Sequence, residues 1–173
     1  HLPGKKRLAG EQMEWEVVLI DAAEHSIERP KKNSGYTTPA KRKSTPSRHI
    51  VVDKGTQQII CTQVGKGRRH DYHLYKSSQV HMHPQTKTVV DSGYQGLQKI
   101  HAQTQKPQKG TKKKPLTKEE KKKNQQINSV RVTVEHVIRR IKIFRIMAER
   151  YRNRRKRFTL RLNLICAIYN FEL

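Results

Sequence analysis

Val17-Val18-Leu19-Ile20-Asp21 and Thr88-Val89-Val90-Asp91 decide how this chain is read. Each is a continuous apolar run that ends in a carboxylate. Unbroken apolar runs of this length suit strands buried on both faces of a sheet. Ser92-Gly93-Tyr94 turns the chain after the second run. A third acid, Glu135, stands inside a helical pattern, Arg131-Val-Thr-Val-Glu135-His-Val-Ile-Arg-Arg-Ile-Lys142. Carboxylates at two strand ends and on one helix can converge on a pair of divalent ions. Two such ions about 4 Å apart catalyse in-line phosphoryl transfer on nucleic acid.

The surroundings of these acids are strongly basic. Lys and Arg outnumber Asp and Glu by 38 to 14, a formal net charge of +24. Such an excess points to a partner of dense negative charge, most simply DNA or RNA. A solvated basic surface or tail is the bland alternative. The length suits one domain with a modest core. Cys61 and Cys166 lie among apolar residues, with no second cysteine at metal-binding spacing. They read as reduced core thiols of a cytoplasmic protein. No apolar run approaches the roughly 20 residues of a membrane helix, so no membrane contact is expected.

Residues 1–14 read as a linker or trimmed end, since His1 rather than Met opens the chain and Pro3, Gly4 and Gly10 follow. Residues 15–173 read as a single catalytic domain. Trp15 to Asp21 is its first strand, and the polar residues 23–46 form a long loop. A hairpin follows over 48–53 and 57–63, with Gly55 available for positive φ in its turn and Asp53 opening that turn. A short helix capped by Asp71 is expected to reach about Ser78. Lys87 to Asp91 is a strand and Tyr94 to His101 a helix. The Lys-, Gln- and Pro-rich residues 103–115 read as mobile. Thr117-Lys-Glu-Glu120 is a capping box opening a long helix that runs, with a kink, to about Arg150. Residues 150–157 are a dense basic patch. Leu160, Leu164, Ile168 and Phe171 mark one apolar face of a closing helix.

On the long helix, Arg131, Glu135 and Lys142 fall within about 60° of one another. Val134, Ile138, Ile141 and Arg145 form a neighbouring stripe whose apolar members can pack on the sheet. Glu135 then stands at the edge of the packed surface, kept ionised by Arg131 and Lys142. Taken singly, each acid has an ordinary reading. Glu135 could be a surface residue with basic neighbours, and Asp21 and Asp91 could cap turns. His70-Asp71-Tyr-His73 and His81-Met-His83 are weaker candidates for a transition metal.

From Trp15 to Leu173 the chain resembles the catalytic domain of a DDE-type insertion-sequence transposase. Val18-Leu-Ile-Asp21-Ala-Ala-Glu24-His-Ser-Ile-Glu-Arg-Pro30 resembles that family's first-aspartate segment, and Val89-Val-Asp91-Ser-Gly93-Tyr94-Gln-Gly96 its second. Gly67-Arg-Arg-His70-Asp71 matches its His-Asp turn. Arg131-x3-Glu135-x6-Lys142 has the spacing of its glutamate signature, with Asn128 where a tyrosine is expected. The resemblance implies an α/β, RNase H-like mixed sheet flanked by helices, with the long helix carrying Glu135. It implies that Asp21, Asp91 and Glu135 bind two Mg2+ or Mn2+ ions and catalyse strand cleavage and strand transfer. Arg131, Lys142, Arg139, Lys66, Arg68, Arg69, Arg154 and Arg155 are the expected DNA contacts, and His70 and Asp71 support the site. The expected partner is double-stranded DNA, both transposon ends and target. The active complex is expected to be a homodimer working at the bacterial nucleoid in the cytoplasm. The family's N-terminal DNA-binding region has no counterpart in this sequence, so little preference for the element's own ends is expected. A catalytically inactive remnant that only binds nucleic acid is the alternative.

Overall fold

The computed structural model describes residues 2–10, 14–25, 47–65, 70–111, 115–152 and 157–173. Val17–Glu24 forms β1, Ser47–Asp53 β2 and Ile59–Val64 β3. Asp71–Ser78 is α2, after a single helical turn, α1, at Lys5–Leu8. Lys87–Val90 is β4 and Thr104–Gln105 is β5. Lys118–Ile141 is α3, Arg145–Ala148 a further turn, α4, and Phe158–Phe171 is α5. Among the described residues the strands form one sheet in the order β3-β2-β1-β4-β5. β1 pairs antiparallel with β2 and parallel with β4, and β5 continues parallel to β4. This mixed sheet with helices on both faces is the expected RNase H-like α/β arrangement.

Strand alternation sorts the apolar residues into two layers. Leu19, Ile50, Val52, Ile59 and Val89 pack beneath Val134, Val137, Ile138 and Ile141 of α3 and Leu162, Ile165 and Tyr169 of α5. Val18, Ile20, Val51, Ile60 and Val90 face the other way, onto Tyr75, Trp15, Tyr94, Leu97 and Leu8. Leu8 and the hydrogen bond from Gly4 N to Ile60 O seat the first residues, read as linker, on the sheet. Both cysteines are free and buried, as read. The capping box on α3 is present: Thr117 Oγ1 accepts from Glu120 N and Glu120 Oε2 from Thr117 N.

Several boundaries differ from the sequence reading. β1 continues three residues past Asp21, because its pairing with β2 persists to Glu24 and Ser47. Asp71 is the first helical residue rather than the cap, a position held by His70 with no side-chain cap bond. The hairpin turn is held by Asp53 Oδ2, which accepts from Thr56 N and Oγ1 at 2.7 Å each. The left-handed residue there is Gln57, φ 61°, and not Gly55. Tyr94 to His101 supplies only a 3-10 turn, Leu97–Lys99. The long helix stops at Ile141, and Phe144 then carries extended backbone before α4. Residues 103–115 are not a uniformly mobile stretch: Thr104 and Gln105 pair with β4.

The largest correction concerns α5. Leu160, Leu164, Ile168 and Phe171, read as one apolar face, are exposed, Phe171 at 92%. The buried face is Phe158, Leu162, Ile165, Cys166 and Tyr169. Both stripes have helical spacing, so periodicity alone does not choose between them. Two asparagines one heptad apart do. Thr62 Oγ1 donates to Asn163 Oδ1, while Asn170 accepts from Ile59 N and donates to Ile59 O, 2.8 Å each. These bonds to β3 fix the helix's rotation. No helix among the described residues is long and apolar enough to cross a membrane.

Candidate active site

In the parallel pair, Ile20 of β1 lies beside Val90 of β4. The next residues, Asp21 still within β1 and Asp91 just past the end of β4, therefore stand side by side. Two-residue alternation places Asp21 with Leu19 and Asp91 with Val89, on the face that α3 covers. α3 is anchored there by Val134, Val137, Ile138 and Ile141, which leaves Arg131 and Glu135, one turn apart, beside the strand ends.

Arg131 joins the three acids. Its Nη1 lies 3.3 Å from Asp91 Oδ1, and its Nη2 lies 3.7 Å from Asp21 Oδ1 and 4.0 Å from Glu135 Oε1. The Arg131 side chain is 15% exposed, Asp21 17% and Glu135 57%, so the cluster grades from sheltered to open. Asp21 also accepts a hydrogen bond from Ala22 N at 3.0 Å. Burial pushes the Asp21 carboxyl up to about 6. Arg131 pulls the other way, and the charges of Asp91 and Glu135 add to the rise. Arg131 Nε is buried without a hydrogen-bond partner.

Asp71 extends the negative region. Burial, then the charge of Asp91, raise its carboxyl above the ordinary aspartate range. Its Oδ2 lies so close to the Asp91-Ser92-Gly93 turn that a methyl group on Gly93 would meet it at 2.6 Å. A larger residue at Gly93 would push the Asp71 carboxylate away from this turn. His70 is exposed just before α2.

The other predicted DNA contacts fare differently. Arg139 is exposed in the last turn of α3 and Lys142 is exposed as its C-cap, both free to meet a phosphate. Arg131 instead directs its guanidinium at the carboxylates. Lys66, Arg68, Arg69, Arg154 and Arg155 lie outside the described residues. Among the described residues, no group of three or more His, Cys, Asp or Glu side chains is close enough to hold a metal; Arg131 stands among the three acids. The donor set is all carboxylate oxygen, which suits a hard divalent ion. A sheltered cluster that draws in a guanidinium has unmet demand for positive charge.

Two polar groups went unread in the sequence. Arg48 is fully buried on β2 beneath Met147, with Nη1 3.1 Å from the Met147 sulfur. His25, just past β1, stacks on Phe158 with ring centres 4.9 Å apart, and burial lowers its pKa to about 4. Nothing in their local sequence marks them as buried.

The raised pKa of Asp21 carries a stability prediction for the metal-free chain. Between the unfolded value of 3.8 and about 6, the folded chain binds more protons than the unfolded one. Stability from this group is thus complete below the lower value and lost as pH rises through the upper one. At pH 7.5 the ionised carboxylate costs about 3 kcal/mol. Asp21→Asn removes that cost, so its melting temperature in EDTA should exceed the parent's by roughly 10 °C at pH 7.5. At pH 4.5 the gap should shrink. A variant less stable than the parent at pH 7.5 would show that the Asp21–Arg131 attraction outweighs desolvation.

Residues 14–171 match the family described as the transposase DDE domain. The chain is 46% identical over 173 residues to the probable transposase for insertion sequence element IS702 of Microchaete diplosiphon. That match covers 99% of this chain and 63% of the relative, so the chain spans a little under two thirds of the relative's length. No solved structure matches. With the family match running from just before the first strand into the last helix, the chain belongs to the transposase DDE-domain family.

Proposed function

We propose that this chain is the catalytic part of an insertion-sequence transposase that cleaves and joins DNA strands with divalent metal ions. The observation that carries this reading is the gathering of Asp21, Asp91 and Glu135, from two parallel strands and the helix across them, around one guanidinium. These three carboxylates would hold Mg2+ or Mn2+, two ions in the full site. Bound there, the ions would activate a water or a 3′-hydroxyl and stabilise the leaving oxygen. Glu135, the most exposed of the three, meets solvent where a phosphodiester would approach. Lys142 and Arg139 supply charge for phosphates on the same helix end. Arg131 balances the acids until metal and DNA arrive. The substrate is double-stranded DNA, element ends and target, in the bacterial cytoplasm at the nucleoid, and the active complex is a homodimer.

Conversion of supercoiled plasmid to open circles tests the reading directly. Nicking is expected with Mg2+ or Mn2+ and not with EDTA. A chain that binds plasmid yet leaves it supercoiled with either metal would instead be a binding remnant.

Binding itself should be governed by charge. If roughly six phosphates are neutralised, the logarithm of affinity should fall with the logarithm of salt at a slope near −5 on B-DNA. Fluorescence anisotropy with a random duplex across a salt series measures it. Affinity unchanged between low and moderate salt would rule out a phosphate-dominated interface.

A further inference from the structure

α5 is apolar on two opposite sides, and the core covers one of them. Phe158, Leu162, Ile165, Cys166 and Tyr169 are buried, while Leu160, Leu164, Ile168 and Phe171 face solvent about 150° away around the helix. A helix that is apolar all round belongs in an interior. The open side is also free of charge, in a chain whose net charge is +24. Arg161 is the one charged residue between Phe158 and Phe171. Its guanidinium lies over the Tyr151 ring and donates to the Tyr151 hydroxyl. The four solvent-facing side chains leave on the order of 500 Å2 of apolar surface open, the size of patch that monomers commonly use for contacts.

The order of residues along this stripe says what can cover it. Leu160, Leu164, Ala167 and Phe171 follow at spacings of four, three and four, the seam of a two-helix coil, with Ile168 at its flank. Laid antiparallel on a second copy, with the two-fold axis between Ile165 and Cys166, the seam matches itself. Leu160 then faces the partner subunit's Phe171, and Leu164 faces the partner subunit's Ala167, large against small in the inner layers. A parallel pair would set alanine on alanine and leave a gap. The antiparallel register also brings Glu172, at the end of one helix, near the start of the other, where Arg157 stands. Roughly 1,000 Å2 would be buried in all, the threshold for a specific interface. A two-fold contact of this kind closes on itself and does not propagate.

We infer that the open side of α5 is a dimer surface, on which a second copy of this chain lays its own α5 antiparallel without need of DNA. The inference rests on the homodimer of the proposed function and names the surface that forms it.

Sedimentation velocity of the whole chain, without DNA or metal, tests it. In roughly 0.5 M salt, half of the chains should be dimeric near about 10 µM, as an interface of this modest size implies. The dimer fraction should rise with salt, because salt screens repulsion between cationic copies and leaves apolar contacts intact. Leu164→Glu should weaken dimerisation by roughly a hundredfold or more, since it buries a carboxylate against the partner subunit's Ala167. Leu164 is exposed in the single copy, so the circular dichroism spectrum should not change. Cross-linking reads the register. Leu160→Cys and Phe171→Cys chains, mixed and oxidised with copper-phenanthroline, should form a covalent dimer that neither forms alone, because like positions lie roughly 16 Å apart along an antiparallel pair. Cys61 and Cys166 are buried and stay out of the reaction. A parent still monomeric at about 100 µM, a dimer that dissociates as salt rises, a Leu164→Glu chain that dimerises as the parent does, or either cysteine variant cross-linking to itself would each overturn the inference. Plasmid nicking measured in parallel separates the two claims. Nicking by a chain that stays monomeric sinks this inference alone, and an α5 dimer that does not nick sinks the proposed catalysis alone.

Discussion

Asp21→Asn, Asp91→Asn or Glu135→Gln should each lower metal-dependent nicking by on the order of a thousandfold, the upper end of what loss of one oriented dipole costs. The reason lies in how the three side chains divide the work. Asp21 lies in β1 and Asp91 directly follows β4, and the pairing of Ile20 with Val90 sets the two side by side. Glu135 reaches them from a helix anchored by four buried apolar residues. An amide at any of the three keeps shape and volume but supplies no charge to hold a divalent ion. DNA binding should persist, because a net charge of +24 becomes +25. Plasmid nicking and gel-shift assays on the same preparations separate the two effects. A triple variant that nicks at the parent rate would place the activity elsewhere.

Arg131→Gln should have a large effect of another kind. Without the guanidinium, three carboxylates face one another with no cation among them. Removing one partner from a sheltered ion cluster costs more than the cluster's own net worth, because the remaining charges stay partly desolvated. Asp91 and Glu135 reach solvent, so the penalty should be about 2 kcal/mol, below the range for fully buried pairs. In EDTA at pH 7.5 this lowers the melting temperature by roughly 5 °C. The loss should shrink toward pH 4.5 as Asp21 protonates. Millimolar Mg2+ or Mn2+ should restore the variant by more than it stabilises the parent, because the ions enter a site that no side chain contests. Arg131→Lys should fall between, since a point charge cannot reach three carboxylates as a planar fork does. Differential scanning fluorimetry with and without metal decides the matter. A glutamine variant as stable as the parent in EDTA would mean that Arg131 does not neutralise the cluster.

Most of the strands and the core face of α3 were legible because local physics and tertiary structure agree there. Val18 to Ile20 and Val89 to Val90 are apolar on both sides and are buried on both sides. Thr117 and Glu120 announce a helix start by chemistry that needs no distant partner. The candidate acids could be picked out for the same reason, since each ends or edges a well-patterned element. What three residues do together is a different matter. The i,i+4 spacing of Arg131 and Glu135 gives one contact, but those to Asp21 and Asp91 exist only once β1, β4 and α3 have packed. The rotation of α5 was illegible because two apolar stripes compete, and hydrogen bonds to a distant strand decide between them. β5 was illegible because a two-residue strand has no period to detect. Gln57 took the left-handed conformation because Asp53 and Thr56 had already set the path of the turn, leaving Gly55 nothing to relieve.

The Asn170 clamp on Ile59 bears on how this molecule stays dispersed. β3 is the outer strand of the sheet, and Ile59-Ile60-Cys61 is its apolar stretch. An open strand of that kind is a template on which a neighbouring molecule can add its own strand. At low ionic strength, mutual repulsion between highly cationic molecules keeps neighbours away. Salt that loosens DNA also screens that repulsion. The asparagine's two hydrogen bonds carry no net charge and survive such screening. They occupy the backbone donor and acceptor of Ile59 when electrostatic protection is weakest. The end of α5 thus covers one donor and one acceptor of β3, at the opposite edge of the sheet from β5, with bonds that salt does not weaken.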